Sequence, residues 1–119
     1  MEKDRARATA KWSVWRDFPN PKQYGILTAP FGPGCYELRR SDTGKKVLFG
    51  SGNHVAFRMT SLLPKPLGAG TRDNKFKRNY VHEYLDHIEY RTIACRDEDE
   101  ARELERDLKV KQDSYQFPT

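Results

Sequence analysis

No run of 18 apolar residues occurs in the 119-residue chain, so nothing in the sequence predicts a membrane-spanning helix. The opening MEKDRARATAKW lacks the continuous apolar stretch of a secretory signal, and the chain reads as soluble and cytoplasmic, with no membrane partner. Cysteine is scarce. Cys35 and Cys95 are too few and too far apart for a disulfide framework or a four-cysteine zinc site, and they read as buried thiols. Of the 3 histidines, His82 and His87 have no spacing to each other or to the cysteines that resembles a zinc site. Internal repeats and low-complexity blocks are absent too. A second independent core would leave each half of this chain too small, so a single domain is expected.

What remains is polar but foldable: 36% hydrophobic and 33% charged residues, enough for a modest core. Lys and Arg outnumber Asp and Glu by 22 to 17, and the excess is local. KPLGAGTRDNKFKR, residues 65–78, carries Lys65, Arg72, Lys75, Lys77 and Arg78 against the single acid Asp73. Cations concentrated beside glycines and Phe76 suit a loop that meets nucleic-acid phosphates, because each one releases condensed counterions. A merely solvated loop has the same composition.

Residues 1–32 mix Trp12, Trp15, Phe18, Tyr24 and Phe31 with prolines, which favours an irregular arm packed on the core over regular structure. Its aromatics also offer a docking surface for a protein partner or a second copy. From Gly34 the pattern sharpens. CYELRR, a turn at SDTGKK and then VLFG read as a β-hairpin. In SGNHVAFRMTSLL, Val55, Met59, Leu62 and Leu63 recur at helical spacing, with Asn53 available as a cap, and predict a helix over about residues 54–63. Pro64 and Pro66 stop it. NYVHEYLDH fits a short helix or a strand lead-in. IEYRTIAC, residues 88–95, is rich in β-branched and aromatic side chains and predicts a third strand. RDEDEARELERDLKVK predicts a helix with Asp97 and Glu100 in capping-box spacing and an apolar stripe of Ala101, Leu104 and Leu108.

Two charged residues border apolar stripes. Glu105 follows Ala101 by four residues and precedes Leu108 by three, an edge position where a cation or metal offsets the cost of burying a carboxylate, and where an edge salt bridge serves equally. Glu100, Arg102 and Glu103 read as solvent-facing charges. Arg58 sits between Val55 and Leu62 and either snorkels or turns its planar fork to a phosphate oxygen. His54, at the start of that helix, could act as a base or bind phosphate, or be an exposed first-turn residue.

Taken together, these residues resemble the GIY-YIG nuclease family. Pro33-Gly34-Cys35-Tyr36 is similar to the PGVY opening of the bacterial excision-repair nuclease, and eleven residues later Leu48-Phe49-Gly50 occupies the place of the YIG half-motif. Arg58 lies eight residues beyond Gly50, the spacing of the family's helical arginine, and EARELERDL resembles its last catalytic helix, with the metal-ligand glutamate at Glu105. Leu48 stands where the family has its second tyrosine. Ser114-Tyr115-Gln116 is the nearest match to its terminal PxYN, one residue short, with Gln116 in place of the asparagine.

The resemblance spans roughly residues 33–116 and implies an α+β fold, a small three-stranded antiparallel sheet flanked by helices, the same elements as the residue-by-residue reading. It also implies metal-dependent endonuclease activity on nucleic acid, DNA in preference to RNA. Glu105 would hold one Mg²⁺ or Mn²⁺, Arg58 would stabilise charge on the phosphoryl oxygens, and Tyr36 would orient or deprotonate the attacking water. Tyr36 equally fits a core strand residue. Catalysis on this plan expects Tyr36, Arg58 and Glu105 on one concave surface; Glu105 on the opposite face of the sheet from Tyr36 would remove that nuclease assignment whatever the fold. Competing readings are a catalytically degenerate nucleic-acid-binding module, favoured by Leu48, and an interaction subunit of a larger assembly.

Overall fold

The structure is a computed structural model that describes residues 11–20, 27–59 and 75–117. Its backbone frame is a four-stranded antiparallel sheet in the order β1-β4-β2-β3, where β1 is Arg16–Asp17, β2 is Gly34–Arg40, β3 is Lys46–Gly52 and β4 is Ile88–Ala94. Three α-helices accompany it among the described residues: α1 (Val55–Met59), α2 (Lys75–Glu83) and α3 (Glu98–Lys109). The fold is therefore α+β. No helix among the described residues is long and apolar enough to cross a membrane.

β2 and β3 form the expected hairpin, closed over residues 41–45 with Gly44 at φ 74°, the left-handed conformation that favours glycine. β2 is the central strand, paired on its other side with β4 from Gly34↔Ala94 to Arg40↔Ile88. Its residues point alternately to two covered faces. Tyr36 and Leu38 join Leu48, Val55, Met59, Val81, Ile88, Tyr90 and Phe18 in the larger core, so α1 and α2 cover this face. Cys35 joins Ile93 and Ala101 in the smaller core, beneath α3. Both cysteines are free; Cys35 is buried as expected, whereas Cys95 is only half-buried. Burial pushes the Cys35 thiol up to about 12 and the Cys95 thiol up to about 11, so both stay protonated and unreactive near neutral pH.

The fourth strand is a departure from the three expected. Ser13 donates its N–H to the Thr92 carbonyl at 2.8 Å, Arg16 and Asp17 pair with Tyr90 and Glu89, and Phe18 donates to the Ile88 carbonyl at 2.9 Å. Trp12 and Trp15 stack on the Arg91 guanidinium, 4.5 and 4.7 Å from the ring centroids. The arm is thus a strand laid on the outer edge of β4, selected by that edge and by cation–π stacking rather than by local propensity.

Helix α1 starts at Val55, and the second half of the helix expected over 54–63 lies outside the described residues, as do Lys65 and Arg72. Lys75, Lys77 and Arg78 are helical, not part of a loop: burial of Val81 and packing of Tyr80 and Tyr84 on the larger core draw residues 75–83 into α2. In α3, Asp97 accepts the Glu100 N–H at 2.8 Å as predicted, but Glu100 is not solvent-facing. It is 4% exposed, and its carboxylate takes the Arg96 Nε at 2.7 Å. The apolar stripe pulls that helix face down, and Arg96 neutralises the carboxylate that goes with it.

At Gly34 a Cβ would lie 2.1 Å from the Ile93 carbonyl oxygen and 3.0 Å from Val55 Cγ2. The obstacle is backbone. Gly34→Ala should therefore cost about 1–3 kcal/mol, lowering Tm by roughly 10 °C; a variant melting with the wild type would show that β2 and β4 can separate at this point without penalty.

Candidate active site around the edge strand

β3 is an edge strand, and three of its consecutive residues gather the candidate side chains. Over Gly50 lies Tyr36: a Cβ there would sit 2.4 Å from the Tyr36 hydroxyl and 2.6 Å from Cζ. Only glycine lets the ring cross the strand. Over Gly52 lies the aliphatic stem of Arg58, whose Cβ, Cγ and Cδ would be 3.8–3.9 Å from an added Cβ. Between them Ser51 donates its hydroxyl to Glu105 Oε2 at 2.9 Å, fastening α3 to β3.

These approaches come from different sides. Gly50 and Gly52 pair with Tyr36 and Gly34, whereas Ser51 pairs with Cys35, which faces α3. Tyr36 and Glu105 therefore occupy opposite faces of the sheet, and the expectation that Tyr36, Arg58 and Glu105 line one concave surface is not met. Tyr36 has no exposed surface and Leu48 is 1% exposed, both inside the larger core. The physical reason is that β2 is buried on both sides, so its tyrosine takes the face with the larger core. Arg58 and Glu105 flank the edge strand from its two sides, the Arg58 stem over Gly52 and Glu105 on Ser51. Neighbouring strands are only about 4.8 Å apart, so side chains on two faces can meet around an edge where no further strand intervenes.

Glu105 is half-buried, and Ser51 is its one hydrogen-bond partner among the described residues. That leaves Oε1 for another ligand. One carboxylate oxygen fits a hard divalent cation whose other positions are filled by water and phosphate. It does not make a protein cage, and no group of three or more His, Cys, Asp or Glu side chains among the described residues is arranged to hold a metal.

His54 is exposed at the start of α1, as one of its sequence readings has it. Its Nδ1 accepts the Phe57 N–H at 3.0 Å, so the imidazole caps α1 in place of Asn53. With Nδ1 accepting, Nε2 carries the ring proton and is left as a donor. Gln116 is exposed, while its neighbour Tyr115 is buried and donates to Glu37. Residues 116 and 117 donate their N–H groups to the Lys46 and Val47 carbonyls, each at 2.9 Å, covering the far end of β3. On α2, Arg78 holds a buried Nε with no hydrogen-bond partner among the described residues.

Two contributors escaped the sequence reading. Ser51 is legible only from its place after Gly50, on the face that meets α3. Glu37, in mid-strand, has no exposed surface and collects Arg91 at 2.7 Å, Lys46 at 3.5 Å and the Tyr115 hydroxyl. Burial and then the Glu37 hydrogen bond push the Tyr115 phenol above its ordinary value, keeping it a donor.

Comparison with family models, curated proteins and solved structures returns no match for this chain. The class the coordinates define is an α+β domain in which, among the described residues, one helix lies on one face of a four-stranded sheet and two on the other.

Proposed function

We propose that this chain is a metal-dependent endonuclease of GIY-YIG-like design that hydrolyses phosphodiester bonds in nucleic acid, DNA in preference to RNA. What supports the reading is the edge-strand pair, Glu105 on Ser51 and Arg58 over Gly52; the plan that needs Tyr36 on the same surface is removed by the two-face placement, so the proposed site works without the Tyr36 hydroxyl. Glu105 would hold Mg²⁺ or Mn²⁺ through Oε1, with Ser51 fixing the carboxylate's rotation. The bound ion supplies Lewis-acid polarisation of a phosphoryl oxygen. Arg58 would set its fork against the other phosphoryl oxygens and stabilise the charge that develops on them. Tyr36, sealed from solvent, is in this proposal a positioning residue: its ring holds the Gly50 segment of β3 in place beneath the site. Lys75, Lys77 and Arg78 would contribute phosphate affinity from α2.

A second reading has a specific observation behind it. With Tyr36 and Leu48 both buried, no half-motif hydroxyl meets solvent, which is what a nucleic-acid-binding module that has lost catalysis would keep. Supercoiled plasmid incubated with the protein and Mn²⁺ or Mg²⁺ separates the two. Nicking that EDTA abolishes is expected from the nuclease; salt-sensitive binding with no nicking under either metal selects the binding module.

A further inference from the structure

Phe31 and Phe57 are 80% and 74% exposed, yet they are neighbours, with the exposed His54 ring between them. The Phe31 and His54 centroids are 5.5 Å apart at 39°, and those of His54 and Phe57 are 6.1 Å apart at 77°. This row of rings is held from beneath. Ala56 and Val55 donate their N–H groups to the carbonyls of Pro30 and Gly32 at 2.9 and 3.2 Å, pinning Phe31 beside α1. The hydrogen bond from the Phe57 N–H to Nδ1 fixes the imidazole plane.

We infer that Phe31, His54 and Phe57 form a stacking platform for an unpaired nucleobase of a strand whose backbone runs past Arg58. The inference rests on the nucleic-acid reading above and adds the form of the substrate. Arg58 follows Phe57 in α1, and its stem lies over Gly52, so a base seated on the rings has its phosphate at the Ser51–Glu105 end of β3. Rings inclined to one another make ledges that take the face of a planar base, with the His54 Nε2–H left to donate to its edge. An apolar protein helix would want a continuous groove, and the cation beside the rings together with the chain's net charge of +5 favours a polyanion. Bases stacked within a duplex present no face to such ledges. The preferred substrate is therefore single-stranded, or carries an unpaired or extruded base.

The test is binding without metal. Fluorescence anisotropy in EDTA compares labelled oligothymidylate, an abasic strand of equal length and a blunt duplex, for the wild type and for a Phe31→Ala, Phe57→Ala double variant. Both rings are exposed, so the double variant should fold, and its melting curve checks this. Wild type should bind oligothymidylate about 5- to 100-fold more tightly than the abasic strand. The double variant should lose that difference while keeping its affinity for the abasic strand, and Phe57→Trp should restore it, with the indole quenched by the base. Equal affinity of the wild type for base-bearing and abasic strands, a preference for duplex, or an undiminished difference in the double variant each overturns the platform. Plasmid nicking is scored separately: base discrimination without nicking removes the nuclease reading and leaves the platform, while nicking without discrimination does the reverse.

Discussion

Replacing Glu105 with Gln should lower metal-dependent cleavage about 10²–10³-fold while leaving the melting temperature within experimental scatter. The amide keeps the size of the carboxylate, and its carbonyl can still accept the Ser51 hydroxyl, so the link between α3 and β3 survives. What is lost is the charge that would attract the cation. The apolar contacts of α3 are carried by Ala101 and Leu104, which the substitution does not touch. Ser51→Ala should be milder, about tenfold or somewhat more, because it frees the carboxylate to rotate without removing it. Cleavage rates across a Mg²⁺ titration check both. A well-folded Glu105→Gln protein that cleaves like the wild type at every Mg²⁺ concentration would strike Glu105 from the site.

The second large effect is on stability. Glu37→Ala should destabilise the fold by about 3–5 kcal/mol, because Arg91, Lys46 and the Tyr115 hydroxyl all converge on a carboxylate that has no exposed surface. Glu37→Gln should cost less, about 1.5–3 kcal/mol, since an amide oxygen can still accept from Arg91 or Tyr115. Urea unfolding midpoints give both values, and equal midpoints for wild type and Glu37→Ala would show that the network contributes nothing. Tyr115 adds a pH arm. Its phenol is raised in the folded state, so the stability it contributes is present below the unfolded value of about 10 and is lost as the pH climbs beyond it.

The parts of the fold that were legible are those with a local signature. The Gly44 turn between two β-rich runs announced β2 and β3, the run IEYRTIA announced β4, and Asp97 ahead of an apolar stripe announced α3. Where the outcome depends on distant partners, the sequence was silent. β1 is two residues long and exists because β4 had an edge to pair. Glu100 reads as a surface charge until Arg96 folds over it. The face taken by Tyr36 could not be read, because every residue from Gly34 to Leu38 is buried and no polar alternation marks the two sides. For the same reason the spacing from Tyr36 through Arg58 to Glu105 suggested one shared surface and gave no sign that the side chains lie on two faces.

The pairing of β1 with β4 bears on how this domain can be trimmed. A fragment begun at residue 33 keeps every motif residue yet strips the cover from residues 88–92 of one sheet edge. The carbonyl of Thr92, the backbone of Tyr90 and Glu89, and the guanidinium held between Trp12 and Trp15 would all turn outward together. An uncovered strand is a template for the next chain, so the minimal fragment suggested by the motifs is also the one most prone to self-association.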